Sequence, residues 1–410
     1  MGGEFKGIRG VLDLLGSTVL VTGATGFLGC RLAEYLSLGL GVKVKAVVRD
    51  FASPGMPRLA RLPVEVISGD LLHPAMITPA VTGCEYIVHC AYGNRGDEKT
   101  RRKVTVEGTR NLLEAARRLG VRKFVHVSTA TVHGTPRGEV VHEDYPYQYS
   151  GQVYYDSKID AEKLALSYYR RFGLPISILR PARIFGPWSE YFTIQIINDV
   201  KNKATTLIDE GKAKANVVYV DNVVEAILLC LTKPESTGAA FLVNGDEKIT
   251  WREFYKTYAD MVRDVPPLQS VTIDEIKRYR RRSRLELVTT SVKSSWRLLT
   301  GGMRRFYQEV PLVQISANSL SSKLPRRVEA WLQSRFADSE SSVGSPDNVS
   351  GNGRVDSVQP LPQLWSAKAM ASDCWFSTEK IKLVLGYTQK TSFQEGMRLT
   401  RQWLEWCRLI

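Results

Sequence analysis

A run of apolar and β-branched residues, Thr18–Thr22, gives way at once to Gly23, Gly26 and Gly29 and then to the helix-patterned segment "FLGCRLAEYLSLG". A short continuous apolar run that stops at glycine reads as a strand buried on both faces, and such strands belong to parallel sheets covered by helices. Each glycine meets a separate need at this junction. Gly23 permits the tight turn, Gly26 lets backbone approach a ligand, and Gly29 lets helix and sheet pack closely. The helix start then offers unbonded N–H groups and a positive partial charge to phosphate. The junction therefore predicts a site for a dinucleotide pyrophosphate; the plainer alternative is an ordinary strand-to-helix turn.

The alternation continues. "VKVKAVVRD", "VEVISGD", "EYIVHCA", "KFVHVST" and "PISILRPARIFG" read as strands, and "VEGTRNLLEAARRLG" and "YYDSKIDAEKLALSYYRRFG" as helices closing on glycine. The fold class expected is α/β, a doubly wound parallel sheet of the Rossmann type with a smaller C-terminal substrate lobe. Residues 17–190 are expected to form the dinucleotide-binding domain, with 215–245 returning to it. Residues 191–410 are expected to form mainly the substrate-binding lobe, including a basic, Ser-rich, partly flexible insert over 265–370. At the C-terminus "FSTEKIKLVLGYTQKTSFQEGMRLTRQWLEW" predicts a capped helix, a turn at Gly386 and a final helix.

The net charge of +14 is concentrated in that insert, where Val271–Phe336 holds 14 Lys/Arg against 5 Asp/Glu. "IKRYRRRSRLELV" and "WRLLTGGMRRFYQEV" mix cations with Trp296, Leu298, Leu299 and Phe306. One reading is peripheral contact with an anionic membrane surface; the other is a solvated charged face with a pocket-covering helix. The chain carries no nucleic-acid motif, so nucleic acid is not an expected partner. "VVYVDNVVEAILLCL" is broken by Asp221, Asn222 and Glu225, and the N-terminal stretch has acids at Glu4 and Asp13. Neither a spanning helix nor a signal peptide is expected, and a cytoplasmic location is. The six cysteines form no Cys-x-x-Cys pair and the histidines no zinc-ligand spacing, so reduced thiols and no metal are expected.

In "VYYDSKID" Tyr154 precedes Lys158 by four residues, which puts both on one face of a helix, whereas Tyr155 points elsewhere. Alone the spacing is common. Joined in order with "TGATGFLG", "GDL", "VHCA", "VEGTRNLLEAA", "FVHVSTATVHG", "RPARIFGP" and "VYVDNVVEA", it resembles the extended short-chain dehydrogenases/reductases. This class includes nucleotide-sugar epimerases, dehydratases and 3β-hydroxysteroid dehydrogenase-like enzymes. The resemblance implies a catalytic set of Thr129, Tyr154 and Lys158. It implies cofactor contacts from Gly23, Thr25, Gly26, Phe27, Leu28, Gly29, Asp70, Leu71, Ala91 and Pro181 as well as from Tyr154 and Lys158. It implies substrate contacts from Thr131 and Arg183, and a homodimer through the helix bearing Tyr154.

Free tyrosine, with a pKa near ~10, is a poor base at neutral pH, and the Lys158 ammonium beside it is expected to lower that value. Tyr154 is expected to exchange a proton with the substrate oxygen, and Thr129 to orient that oxygen. Arg49, at the end of the second strand, would pair with a 2′-phosphate and tilts the cofactor to NADP(H); the neighbouring Asp50 would favour NAD(H) if it held that position. Three positions depart from the family pattern. Thr105 stands where Asn is frequent, Ala130 and Thr131 stand where sugar dehydratases carry Asp-Glu, and Arg183 stands where many UDP-sugar enzymes carry Asn. The reading is an NAD(P)(H)-dependent oxidoreductase interconverting a secondary alcohol and a ketone on a small molecule, lipid-like in being large and weakly polar. The alternative is a nucleotide-sugar epimerase with internally recycled NAD. A scaffold that has lost catalysis is the third reading, against which the intact Thr129–Tyr154–Lys158 set argues.

Overall fold

The computed structural model describes residues 14–136, 138–202, 205–263, 265, 267–279 and 364–410. From the N-terminus run β1 (Thr18–Thr22), α1 (Phe27–Glu34), β2 (Lys43–Val48), α2 (Met56–Leu59), β3 (Glu65–Ser68), α3 (Pro74–Val81) and β4 (Tyr86–His89). Next come α4 (Glu98–Leu119), β5 (Lys123–Val127), β6 (Val140–Val141), α5 (Val153–Phe172), β7 (Ile176–Pro181) and β8 (Arg183–Phe185). They are followed by α6 (Gln195–Lys201), β9 (Thr206–Ile208), β10 (Val217–Tyr219), α7 (Val220–Thr232), β11 (Ala240–Val243), α8 (Trp251–Ala259) and β12 (Gln269–Val271). The C-terminal part holds α9 (Leu364–Met370), β13 (Trp375–Phe376), α10 (Glu379–Leu385) and α11 (Phe393–Trp406).

Seven strands form one sheet in the order β11-β7-β5-β4-β1-β2-β3, and every pairing is parallel. Alternate residues of the strands face opposite layers, as the pleat requires. Val19, Val21, Val88, Val125 and Val127 pack with α1 and α7 on one side. Leu20, Ile87 and Phe124 pack with Leu112, Leu113 and Ala165 of α4 and α5 on the other. Burial on both faces explains the continuous apolar runs. The order reverses at β1, whose neighbours are β2 on one side and β4 on the other. That reversal opens a crevice at the carboxyl ends of β1 and β4, where ligands of such sheets bind.

Two segments depart from the sequence expectation. "PISILRPARIFG" is not one strand: Ala182 N still donates to Val243 O, but Arg183 N turns to Asn216 O. β8 thus leaves the central sheet and pairs with β10 in a separate two-stranded ladder. Both halves are extended, and the switch of partner lies in tertiary structure. The predicted first helix is regular only to Glu34 and continues as a π turn over Tyr35–Gly39. At the C-terminus Gly386 takes φ +67° between α10 and α11, and the Ser392 hydroxyl caps α11 by accepting from Glu395 N.

The chain divides into two units, residues 1–273 with 362–410, and residues 274–361. Of the second, residues 274–279 are described and are helical. The two basic segments of the insert, and with them the membrane-surface reading, lie largely outside the described residues. Among the described residues no helix is long and apolar enough to cross a membrane. All six cysteines are free, four of them buried.

Candidate active site

At Gly23 and Gly29 the glycine loop leaves no room for a side chain. Gly23 has φ +69°, and a Cβ there would lie 2.8 Å from the Ala91 amide nitrogen, across the β1–β4 crevice. A Cβ on Gly29 would lie 2.3 Å from the Gly23 carbonyl oxygen, which fixes how closely α1 approaches β1. Gly26 is the exposed N-cap of α1, and no side chain caps the first turn. Amides of Phe27 and Leu28 in that turn are placed to receive an anion. Thr25 is half-buried, and its carbonyl lies so close to Gly55 that a Cβ on Gly55 would sit 1.9 Å away. A cradle closed on three sides by backbone and open at a helix N-terminus fits a dinucleotide pyrophosphate.

Around the crevice, Arg49 follows β2 directly and is exposed. Asp50 is otherwise engaged: its carboxylate accepts from Ala52 N and pairs with Arg95. Asp70 accepts from Leu72 N at 3.0 Å, holding the turn that follows β3. Leu71 is buried under Gly108 of α4, where a Cβ would lie 2.9 Å from the leucine side chain. Leu71 O also accepts from Asn111 at 2.8 Å. Ala91 N donates to the Thr22 hydroxyl at 3.4 Å, and Gly93 N to the Thr105 hydroxyl at 2.9 Å. Thr105, a departure from the family pattern, therefore tethers the loop after β4.

Thr129 lies two residues past the end of β5, and Tyr154 and Lys158 stand one turn apart on α5. The Thr129 hydroxyl shares a 2.9 Å hydrogen bond with the Thr131 hydroxyl. Lys158 is buried, donates to Val127 O at 2.9 Å, and lies 5.4 Å from the centre of the Tyr92 ring. Burial pushes its ammonium down to about 8, against smaller upward influences from Cys90 and Glu162. The Tyr154 phenol is pushed up, chiefly by desolvation and then by Tyr92 and Tyr155, with Thr129 pulling it down. The expected lowering by Lys158 is not among the main influences on Tyr154. The protein groups alone keep this phenol protonated; the positive charge of an oxidised nicotinamide, when bound, favours its ionisation.

Tyr92, absent from the sequence expectation, belongs to this group: its ring meets that of Tyr154 with centroids 5.3 Å apart. It follows "VHCA" directly, which is the one signal that points to it. Tyr155 packs on the other side of Tyr154, at 5.2 Å. Pro181 ends β7, buried and paired with Val243. Arg183, two residues on, stands on β8 beside Tyr155 and over the Trp251 ring. Behind the set, Glu162 of α5 pairs with Arg180 of β7 at 2.5 Å, with side chains 0% and 4% exposed. Tyr147 OH donates to the same Glu162 oxygen, and Arg180 meets His133 and Glu143 O.

A phosphate cradle at the sheet's reversal point, with Thr, Tyr and Lys gathered beside it, defines a nicotinamide-dependent class of fold and site. The model of the NAD dependent epimerase/dehydratase family matches residues 19–244, and the chain belongs to that family. It is 30% identical over 257 residues to 2-alkyl-3-oxoalkanoate reductase of Shewanella oneidensis, covering 58% of this chain and 65% of the relative. It is likewise 30% identical over 253 residues to 3 beta-hydroxysteroid dehydrogenase/Delta 5-->4-isomerase of Mycobacterium tuberculosis, covering 58% and 67%. The chain thus spans about two thirds of the length of these curated relatives. The solved dTDP-glucose 4,6-dehydratase DesIV from Streptomyces venezuelae, with NAD and TYD bound, superposes with a TM-score of 0.65. That match has 19% identity and covers 96% of this chain and 98% of the other, a likeness of fold.

Proposed function

We propose that the chain is an NAD(P)(H)-dependent oxidoreductase that interconverts a secondary alcohol and a ketone. The observation that carries the reading is the convergence of Thr129, Tyr154 and Lys158 beside the glycine cradle. A bound dinucleotide supplies the hydride acceptor or donor; Gly23, Gly26, Gly29, Asp70, Ala91 and Lys158 are the residues to hold it. Tyr154 takes the substrate hydroxyl proton during oxidation and returns one to the carbonyl oxygen during reduction. Thr129 hydrogen-bonds the same oxygen and fixes its direction. Ala130 and Thr131 offer no carboxyl group for acid-catalysed loss of water. A reductase of oxoalkanoates and a hydroxysteroid dehydrogenase among the relatives favour net oxidation and reduction.

NADP(H) is the preferred cofactor in this reading. Asp50 is neutralised by Arg95, which leaves the exposed Arg49 as the group at the end of β2 for a 2′-phosphate. Extraction of bound dinucleotide from the purified protein, followed by fluorescence titration with NADPH and NADH, tests the reading. Exchangeable binding that favours NADPH is expected. Tightly retained NAD would contradict it and indicate internally recycled hydride.

A further inference from the structure

Tyr92 is held between two anchored neighbours. Ala91 N donates to the Thr22 hydroxyl and Gly93 N to the Thr105 hydroxyl. Gly93 packs on α4 so closely that a Cβ there would lie 2.1 Å from Arg101 O. From this fixed position the Tyr92 ring touches two members of the candidate set. The Lys158 Nζ lies over its face, 5.4 Å from the ring centre, and the ring meets that of Tyr154 at 71° with centroids 5.3 Å apart. Lys158 is 3% exposed, and the one carboxylate among the main influences on it, Glu162, is already paired with Arg180. A buried ammonium in that position needs other groups to offset its lost water. The negative face of an aromatic ring is such a group, and its attraction grows when the pair is desolvated.

We propose that Tyr92 is a positioning residue: its ring face supports the charge of the Lys158 ammonium and holds that ammonium beside Tyr154, an inference that rests on the oxidoreductase reading above. An ammonium has three N–H groups. Val127 O takes one and the ring a second, which leaves the third for the dinucleotide. The titratable groups that face Lys158 are His89 of β4, Cys90 just after it, His126 of β5, and Tyr154 and Glu162 of its own helix. Cys90 is pushed up to about 12 and His89 down to about 3, so neither titrates near the ammonium's value of about 8. Lys123, also lowered to about 8, bonds the Thr237 hydroxyl at the other end of β5, away from Tyr92.

Fluorescence titration of the purified full-length protein with NADPH, repeated from pH ~6.5 to ~10, tests this. In the unaltered protein affinity should weaken as pH rises through about 8, where the ammonium loses its proton. Tyr92→Leu should move that weakening to lower pH by about 1 unit, whereas Tyr92→Phe, which keeps the ring, should leave it in place. A trifluorinated phenylalanine in place of Tyr92 keeps the shape but removes the negative face, so it should shift the weakening as Tyr92→Leu does. It also separates lost charge support from lost packing. Affinity independent of pH in the unaltered protein, no shift in the fluorinated protein, or a shift in Tyr92→Phe as large as in Tyr92→Leu would overturn the proposal. Failure of the oxidoreductase reading would register differently: Tyr154→Phe would keep full turnover of a secondary alcohol while the Tyr92 shifts stood.

Discussion

His89, His126 and His133 are buried as neutral imidazoles, each pulled down chiefly by desolvation. His89 bridges the Thr22 and Thr109 hydroxyls at 2.7 and 2.8 Å, and the ring of His126, 5.4 Å away, has no hydrogen-bond partner among the described residues. Their positions follow from β4 and β5, where His89 and His126 are registered partners. An unfolded imidazole takes up a proton near pH ~6.5, whereas His89 resists to about 3 and His133 to about 4. Between those values the unfolded state binds more protons, so stability is full above pH ~6.5 and falls as the solution is acidified. At pH ~5 each of the two costs about 2 kcal/mol. Urea midpoints should therefore drop between pH ~7.5 and ~5, and His126→Phe should lessen the drop. A midpoint unchanged between the two conditions would contradict neutral burial.

At the scale of elements, α5 is the helix that carries the proposed proton-transfer group. Tyr154, Lys158 and Glu162 recur every four residues along one face. Lys158 fastens that face to Val127 O of β5, and Glu162 fastens it to Arg180 of β7. Glu162→Gln would leave Arg180 as a buried cation without its carboxylate and should cost about 3–5 kcal/mol. Joint replacement, Glu162→Leu with Arg180→Met, should recover most of that loss; urea melts of the two proteins make the comparison. A joint variant as unstable as Glu162→Gln would show that packing, not charge, sets the cost. The Tyr154–Lys158 half of this face was legible from spacing. The Glu162 anchor was not, because its partner lies 18 residues on and on another element.

Over the whole molecule, the layers were legible and the crossings between them were not. Val19, Leu20 and Val21 have no exposed surface, and a run of that kind has few other places to go than a covered parallel sheet. The glycine cradle was legible because glycines recur at fixed spacing between strand and helix, and at Gly23 and Gly29 a side chain has no room. The break at Ala182 was hidden inside one apolar, extended run, yet it carries Arg183 off the central sheet toward Trp251. Tyr92 was hidden because a loop residue has no periodicity to betray its direction. Thr105 read as a gap in a pattern and is instead the tether of Gly93. Such juxtapositions arise from the closing of the sheet and from residues far apart in the chain.

The central claim is that Tyr154 is the proton-transfer group of a dehydrogenase. Steady-state turnover by Tyr154→Phe of a secondary alcohol that the unaltered protein oxidises, measured together with NADPH affinity, addresses that claim most directly. The expected kcat is lower by about 10²- to 10⁴-fold with the NADPH dissociation constant unchanged. A variant that retained full turnover would contradict it.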